Sequence, residues 1–311
     1  MRQPFRLPGR VQTPAAPGPG PLPEELLRAL ELTVGRRVEG LLAGDYRSSL
    51  LGPGSELAQV RPYRPGEDDV RQIDWNVTAR SLEPHVRVQL AERLLVTWVL
   101  LDVSPSMGFG TAERRKADVA EGAALALAYA ATRRGNRLGV VTFGDGELHA
   151  LPPRQGRAGM LSLLLALRRP RPEEPPGATS LAAVLSRTAR IARQRSLVAV
   201  VSDFRGPRDW RRPLLEVLGR HDVVAIEIRD PREQELPSLG ELWMIDPETG
   251  RQLRVDTGSR ELRRRFEVAA ASERAELART FASLGVPHVV LQTAGDWLRL
   301  LADFLRLQRR R

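Results

Sequence analysis

Apolar positions along this sequence fall into two kinds of block, short continuous runs and longer stretches with helical spacing. The continuous runs predict strands at 94–103, 137–143, 197–202, 223–228 and 287–291, and an alternating apolar pattern predicts a further strand at 86–90. The periodic stretches predict helices at 112–134, 159–168, 181–194, 210–220, 260–284 and 297–307. Because strands and helices alternate, the sequence predicts an α/β domain with a doubly wound, mostly parallel sheet.

Two segments interrupt this alternation with predicted hairpins. Gly144–Gly146 predicts a turn into a strand at 147–151, which would form an antiparallel edge of the sheet. Residues 241–256 predict an inserted hairpin with a turn around Pro247. The run at 94–103 is apolar on both faces, so we expect it near the middle of a covered sheet.

The chain is predicted to have three parts. Residues 1–22, rich in proline and glycine, are expected to form a flexible leader. Residues 23–90 are expected to form an N-terminal extension, with a helix near 22–42 where leucine and valine recur at helical spacing. Residues 91–311 are expected to form the α/β domain.

Composition narrows the chemistry that the chain can perform. The 311 residues include no cysteine, which excludes disulfides, cysteine-ligated zinc, iron–sulfur clusters and thiol nucleophiles and fits a reducing compartment. No apolar run approaches the roughly 18 residues that a membrane-spanning helix needs. We therefore expect a cytoplasmic protein with no membrane span.

The net charge of +10 comes almost entirely from arginine, since Lys116 is the only lysine. The arginines are scattered along the sequence, which favours solvated surfaces over a nucleic-acid-binding patch. A nucleic-acid partner is therefore not expected, and the excess positive charge favours an acidic partner.

The clearest chemical pattern follows the central apolar strand. Asp102, Ser104 and Ser106 stand at alternate positions, where a loop at the carboxyl end of the strand can turn all three towards one point. Two later residues fit the same point: Thr179, at the start of a predicted helix, and Asp203, directly after another apolar strand. Such hydroxyl and carboxylate oxygens suit Mg²⁺, with Mn²⁺ or Ca²⁺ as alternatives. The other interpretation is that Asp102 and Ser106 merely cap the following helix.

This set of residues resembles the metal-ion-dependent adhesion site of von Willebrand factor A domains, in which Asp-x-Ser-x-Ser is followed by a threonine and then an aspartate. The resemblance implies a von Willebrand A-like fold and a metal ion held by Asp102, Ser104, Ser106, Thr179 and Asp203. An open coordination position on the metal would bind a carboxylate of another protein. Such a site is a binding device and not by itself a catalyst.

Upstream, the segments Gly52–Leu57, Val60–Trp75 and Thr78–Arg80 resemble the signature of the bacterial family called domain of unknown function 58. In that family the signature precedes a von Willebrand A-like domain, as it does here. Glu67 stands where aspartate is expected. The resemblance implies a partnership with MoxR-type AAA+ ATPases in protein maturation or remodelling. Many members carry N-terminal membrane helices, which we do not expect in this chain.

Around this signature, the stretch from Gly44 to Arg80 lacks simple periodicity, so we expect an ordered loop or a short strand there. Its arginines alternate with acids, and bidentate arginine–carboxylate pairs would fix the segment against the sheet. Ile73 and Trp75 would supply an apolar anchor, with further packing from Tyr46 and Tyr63. Direct contact with a partner is the alternative role for this segment.

Patterns typical of several enzyme classes are absent. The sequence contains no Gly-x-Ser-x-Gly elbow, no phosphate-binding loop and no His-Glu-x-x-His helix. Lys116 is expected to extend along the first helix towards solvent or to pair with Glu113. We therefore expect a non-enzymatic adaptor that binds a MoxR-type ATPase, or its client protein, through an acidic side chain. A metal-dependent hydrolase that uses the same oxygen cluster and a nucleic-acid-binding protein are the alternatives.

Overall fold

The structure of the protein is a computed structural model, and it describes residues 51–66, 68–90, 96–132, 136–169, 180–245 and 252–307. The predicted leader, the helix predicted near 22–42 and Tyr46 lie outside the described residues. The chain divides into two units, one formed by residues 39–95 and the other by residues 1–38 and 96–311.

The smaller unit is built on two antiparallel strands. Strand β1 (Leu51–Pro62) is followed by helix α1 (Trp75–Ser81) and then by strand β2 (His85–Leu90), which pairs with β1. A 12-residue strand and a helix thus stand where only a loop or a short strand was predicted. The reason is that the pairing of β1 contains register shifts, and these irregularities interrupt the alternation by which a strand is recognised in sequence.

Ion pairing stabilises the connection that follows β1. Arg61 donates two hydrogen bonds to the carboxylate of Asp68, at 2.8 and 2.6 Å, so the predicted bidentate pairing is confirmed for these two residues. The backbone N–H of Arg64 donates to the same carboxylate, and it is the largest of the contacts that hold the pKa of Asp68 below its ordinary value.

The prediction that Trp75 is an apolar anchor of this unit is wrong, because its side chain is 71% exposed. Trp75 is the first residue of α1, directly after Asp74, whose side chain accepts hydrogen bonds from the first N–H groups of that helix. The sequence predicted that Trp75 packs within an irregular segment, whereas Trp75 is the exposed first residue of a helix. Ile73 and Tyr63 are half-buried.

The larger unit contains eight strands among its described residues: β3 (Val96–Asp102), β4 (Arg137–Phe143), β5 (His149–Gln155), β6 (Leu197–Ser202), β7 (Asp222–Arg229), β8 (Glu241–Ile245), β9 (Gln252–Asp256) and β10 (His288–Gln292). Six of them form one sheet in the order β5-β4-β3-β6-β7-β10. All neighbours are parallel except β5, which pairs antiparallel with β4 at the edge. The remaining two, β8 and β9, form a separate antiparallel pair in the segment where a hairpin was predicted.

This strand order is that of a doubly wound sheet. The chain starts in the middle at β3, passes outwards to β4 and β5, and then crosses to β6 on the other side of β3. The predicted fold class, an α/β domain with a doubly wound, mostly parallel sheet and an antiparallel edge strand, is confirmed.

In the described part of the larger unit, six α-helices accompany the sheet: α2 (Lys116–Thr132), α3 (Gly156–Leu167), α4 (Leu181–Ile191), α5 (Arg211–Leu218), α6 (Arg260–Ser283) and α7 (Trp297–Leu307). Helix α2 contacts α3 and α7, and α4 contacts α5. Trp98 and Leu100 of β3 share one buried cluster with Leu185 of α4, Leu214 of α5 and Phe281 of α6. Burial of such large apolar side chains stabilises the domain by roughly 1.5–3 kcal/mol each.

The position of the candidate site follows from this topology. Every residue of β3 is buried, and β3 lies between β4 and β6, where the direction of winding reverses. The loops after β3 and β6 therefore leave the sheet in opposite directions and open a crevice at the carboxyl ends of the two strands. In the part of the chain that the structure describes, no helix is both long and apolar enough to cross a membrane.

Candidate metal centre

Asp102 ends strand β3 and lies at this crevice with only 7% of its surface exposed. Its Oδ1 atom accepts a hydrogen bond from the backbone N–H of Ser104 at 2.9 Å. Its Oδ2 atom accepts a hydrogen bond from the hydroxyl of Ser202 at 2.5 Å. Because Ser202 is the last residue of β6, this bond joins the ends of the two central strands and fixes the carboxylate.

Two hydroxyls and a second carboxylate lie beside Asp102. The Oγ atoms of Ser104 and Ser106 are 3.1 Å apart, and the hydroxyl of Ser106 donates to Asp203 Oδ2 at 2.8 Å. The structure thus brings together four of the five predicted ligands, while Thr179 lies outside the described residues.

The capping interpretation is wrong for Ser106. Ser106 lies inside a short 3₁₀ turn (Pro105–Gly108) rather than in front of it, and its hydroxyl is directed to Asp203, 97 residues away. No side chain caps this turn. The alternating Asp-Ser-Ser pattern therefore serves contacts across the crevice.

The oxygen spacing fits a small divalent cation. Mg²⁺ binds oxygens octahedrally at about 2.0–2.1 Å, so adjacent ligand oxygens lie roughly 2.9 Å apart, close to the 3.1 Å between the two serine hydroxyls. The described residues contain no cluster of three or more histidine, aspartate and glutamate side chains that could hold a metal ion. In this candidate centre, hydroxyls accompany two carboxylates instead.

The two carboxylates affect one another electrostatically. Burial, and then the negative charge of Asp203, raise the pKa of Asp102 to about 6, against the opposing effect of hydrogen bonds from Ser202 and Ser104. A buried carboxylate next to a second one is favoured in its charged form by a nearby cation. The electrostatics of Asp102 are therefore those of a group suited to a positively charged ligand.

One cation is already built into this corner of the protein. Lys116, at the start of α2, is completely buried, and its Nζ atom lies 2.6 Å from Asp203 Oδ2 and 2.7 Å from Glu233 Oε1. The predictions that Lys116 extends towards solvent or pairs with Glu113 are wrong, because the first turn of α2 faces the ends of β6 and β7 rather than the surface. Glu113 instead pairs with Arg114.

A network of polar residues extends behind Lys116. Glu233 also accepts a hydrogen bond from Arg205 at 2.9 Å, and it forms a capping box with Asp230 at the short turn after β7. Asp230 is fully buried and accepts hydrogen bonds from Thr111 and Thr293. The loop before α2 and the ends of β7 and β10 are thereby joined to the candidate centre.

A glycine turn closes the other side of the Asp102 loop. Gly144 follows β4 with a φ of +104°, and a Cβ atom at this position would lie 2.7 Å from the backbone nitrogen of Ser104 and 2.9 Å from Asp102 Oδ1. Only glycine adopts this backbone conformation easily and leaves room for the loop. The turn therefore has a direct part in placing the candidate ligands.

The candidate centre opens into a cleft of about 430 Å³. The lining includes exposed residues of the loop after β6, namely Arg205, Gly206 and Pro207. Deeper in the cleft lie the ligand candidates and apolar side chains such as Phe143 and Trp210. A side chain of another molecule can reach the oxygens from this side.

A comparison with known protein families shows which family the chain belongs to. A family model described as "Protein of unknown function DUF58" matches residues 59–276, which include all five predicted ligands. The chain belongs to this family. The resemblance drawn from the signature upstream of β3 is thus confirmed.

This DUF58 chain is similar to proteins of mycobacteria and to several solved structures. An uncharacterized protein of Mycobacterium tuberculosis is 41% identical over 287 residues, which cover 91% of this chain and 89% of the relative. The crystal structure of BatB from Bacteroides thetaiotaomicron has 12% identity and a TM-score of 0.44 over 70% of this chain and 100% of that one. A von Willebrand factor type A structure from Catenulispora acidiphila has 16% identity and a TM-score of 0.37 over 71% of this chain and 42% of that one.

Three functional candidates of this DUF58 protein were missed or misjudged in the sequence: Lys116, Asp230 and Glu233. One signal for Lys116 was present, since the single lysine of an arginine-rich chain stands at the start of the helix after the Asp-Ser-Ser motif. Asp230 and Glu233 lie on a loop without a recognisable motif, and only the fold brings them to the site.

Proposed function

We propose that this protein is a non-enzymatic interaction module that binds a partner through a divalent metal ion, best Mg²⁺, held by Asp102, Ser104, Ser106, Thr179 and Asp203. The bound ion would supply a Lewis-acidic position that takes a carboxylate oxygen of the partner. The chain's own residues hold the ligand oxygens in place and leave the cleft open for the incoming side chain.

One observation carries this proposal: Asp102, Ser104, Ser106 and Asp203 converge at the carboxyl ends of β3 and β6 through direct contacts. One of these contacts joins Ser106 to Asp203, 97 positions away, and all of them lie at the crevice where doubly wound sheets bind their ligands. The separation of the serine hydroxyls, 3.1 Å, is close to that of two adjacent ligands of Mg²⁺.

The engagement of the carboxylates supports binding rather than hydrolysis. Both oxygens of Asp102 accept hydrogen bonds from serine groups, and Asp203 accepts hydrogen bonds from Ser106, Lys116 and the backbone of Arg205. A general base for a hydrolytic water needs a carboxylate or imidazole with a lone pair directed at that water. Each oxygen of Asp102 keeps a lone pair beyond the one that accepts a serine hydrogen bond. A bound metal ion would take up the remaining lone pair, and the carboxylate would then not be directed at a water.

For the partner, we propose a MoxR-type AAA+ ATPase, or a client protein of such an ATPase, which presents an aspartate or glutamate side chain. The exposed guanidinium of Arg205 in the cleft lining would attract such an acid and favour its approach. Family membership supports a protein-interaction role.

Calorimetric titration tests this function directly. The full chain is titrated with a MoxR-type ATPase from the same genome in Mg²⁺ and in excess chelator, and Asp102→Ala is compared with the native chain. We expect binding that requires Mg²⁺ and is lost in Asp102→Ala. Binding that is unchanged by chelation and by the substitution would overturn the metal-bridged mechanism.

A matched control separates site effects from general damage. Ser162→Ala removes a buried hydroxyl whose hydrogen bond goes to the backbone of its own helix, at a position outside the lining of the cleft at the candidate centre. We expect this variant to bind Mg²⁺ and partner as the native chain does, whereas Ser106→Ala weakens both.

A further inference from the structure

A second cleft, of about 200 Å³, adjoins the candidate metal centre and is bounded by helix α6. Charged side chains dominate its lining. The arginines are Arg205, Arg208, Arg229 and Arg274, and the acids are Asp203, Glu227, Glu233 and Glu273. The four arginines balance the four acids in charge. What the cleft can bind therefore depends on which of these side chains already form hydrogen bonds or ion pairs within the protein.

We call this second cleft, lined by Arg205, Arg208, Arg229 and Arg274, the arginine cleft. Glu233 also lines it, and both oxygens of its carboxylate accept hydrogen bonds. Oε1 accepts hydrogen bonds from Lys116 at 2.7 Å and from Arg205 at 2.9 Å. Oε2 accepts one from the backbone N–H of Asp230 at 3.1 Å. Its negative charge is therefore compensated within the protein.

Two further acids of the cleft are compensated in the same way. Glu227 pairs through Oε1 with the Nε of Arg229 and through Oε2 with the Nε2 of His288, the latter at 2.7 Å. Asp203 accepts hydrogen bonds on both oxygens, as described above. Glu273 differs, because it lies exposed at the rim.

Guanidinium donors, in contrast, remain available. Arginine carries five N–H donors, yet Arg229 uses only Nε and Arg205 only one terminal nitrogen of its side chain in contacts with described residues. Arg274, half-buried on α6, makes no hydrogen bond or ion pair with any described residue. Arg208 is engaged, because it pairs with Glu276 at 2.6 Å. The unused donors of Arg205, Arg229 and Arg274 still exceed the free acceptors, since three of the four acids are already compensated, and this is the character of a site for an anion.

We propose that the arginine cleft binds a second carboxylate of the acidic partner segment whose first carboxylate reaches the metal centre, an inference that rests on the function proposed above. Asp203, Phe204 and Arg205 line both clefts, so the two clefts adjoin and one extended segment of the partner would reach both. An extended chain advances about 3.3–3.6 Å per residue, so a few residues separate the two acids. The planar fork of arginine suits a carboxylate held by two parallel hydrogen bonds.

Synthetic peptides test this spacing without knowledge of the partner. One peptide carries a single aspartate in a glycine–serine background, and a series carries two aspartates separated by one to four glycines. Each is titrated into the full chain in Mg²⁺ and the chemical shifts or heats are measured. We expect the best two-acid peptide to bind about tenfold more tightly than the one-acid peptide, the effect of one additional charge-assisted contact.

Arg274→Gln is the decisive variant, since it breaks no hydrogen bond or ion pair with the described residues. We expect it to abolish the gain from the second acid and to leave binding of the one-acid peptide unchanged. The matched control is Arg279→Gln, which removes an exposed arginine of the same helix outside the cleft lining and should keep the gain. Glu273→Gln should strengthen binding of the two-acid peptide, because it removes an acid at the rim.

The outcomes distinguish this inference from the function on which it rests. Equal affinities of the one-acid and two-acid peptides, or a gain that survives in Arg274→Gln, would overturn the arginine cleft as a carboxylate site. A gain that requires Arg274 but persists in excess chelator supports the arginine cleft and contradicts the metal-bridged function. Inorganic phosphate that removes the gain at concentrations that leave the one-acid peptide bound supports an anion site at Arg274, whereas competition only with the one-acid peptide would contradict it.

Discussion

The Nζ atom of Lys116 lies 2.6 Å from Oδ2 of Asp203, in a position completely removed from solvent. The same Oδ2 atom accepts the hydroxyl proton of Ser106. Asp203, a candidate metal ligand, is therefore held in place by the buried ammonium group of Lys116. This arrangement orients Asp203 before any ligand arrives, and it ties the candidate centre to the packing of helix α2.

Loss of this ammonium should have a large effect on stability. In Lys116→Met, the buried carboxylates of Asp203 and Glu233 lose their shared counter-charge, so we expect the free energy of unfolding to fall by about 3–5 kcal/mol. Urea denaturation at neutral pH measures this loss. Arg279→Met, which removes an exposed cation, should change stability by less than about 0.5 kcal/mol.

The same pair of interactions predicts a partial rescue. In the double variant Lys116→Met, Glu233→Gln, one of the two carboxylates that lost the ammonium is removed, so the loss of stability should be smaller than in Lys116→Met alone. A double-mutant cycle from urea denaturation gives the coupling energy. Additive losses would show that the ammonium and Glu233 act independently and would contradict the buried pairing.

The glycine turn after β4 should be needed to keep the candidate ligands in place. Gly144→Ala introduces a Cβ atom within 2.7–2.9 Å of Ser104 and Asp102, so we expect the ligand loop to be displaced and Mg²⁺ binding to weaken by at least tenfold, with a stability loss of about 1–3 kcal/mol. Calorimetry with Mg²⁺ measures the first and thermal melting the second.

Gly240→Ala is the control for this experiment. Gly240 also has a positive φ, +75°, but nothing lies within 4 Å of a Cβ atom placed there. It should share the cost of the backbone conformation and keep native Mg²⁺ affinity. Equal Mg²⁺ affinities of the two alanine variants would argue against a close role for the turn.

Asp230 should make the fold sensitive to acid. Burial acts to raise the pKa of Asp230, but hydrogen bonds from Thr111, Thr293 and the backbone of Arg232 outweigh it and lower the pKa below its ordinary value of 3.8. Because the folded state holds the charged form more strongly than the unfolded chain, this contribution is fully present above about pH 4. It decreases as pH falls through the lowered pKa.

Asp230→Asn tests this prediction. We expect the free energy of unfolding at pH 7 to decrease by about 2–3 kcal/mol and the further decrease between pH 5 and pH 3 to be smaller than in the native chain. Asp209→Asn, at an exposed carboxylate without a hydrogen bond to described residues, should retain the native acid dependence. Identical pH profiles of native and Asp230→Asn chains would be incompatible with this account.

Ser106→Ala tests the hydroxyl that links the loop after β3 to Asp203 in the loop after β6. Its loss removes a candidate ligand and the hydrogen bond to Asp203, so Mg²⁺ affinity should fall by about 10–100-fold, as for other contacts that orient metal ligands. Stability should fall by only about 1–2 kcal/mol. Native Mg²⁺ affinity in this variant would exclude Ser106 as part of a metal site.

The architecture of the larger unit was predictable because its signals are local. Strands such as 137–143 and 197–202 are continuous apolar runs, and the structure has them with the predicted bounds. The convergence of Asp102 and Asp203 was also predictable, since each directly follows a buried parallel strand and such strands end at one edge of the sheet.

The remainder could not be predicted because it depends on contacts between distant residues. The burial of Lys116 follows from Asp203 and Glu233, which lie 87 and 117 positions away in the chain. Strand β1 was hidden by its irregular pairing with β2, and the exposure of Trp75 depends on the helix that it opens. A sequence pattern records the period of an element but not which distant charges surround it.

The buried position of the only lysine has a practical consequence. Lys116 carries the single side-chain amine of the chain, and this amine is inaccessible while the core is intact. Acylating reagents that modify lysine can therefore react at this position only when the core opens. The rate of modification at one residue, followed by mass spectrometry, would report how often this core opens in the native protein.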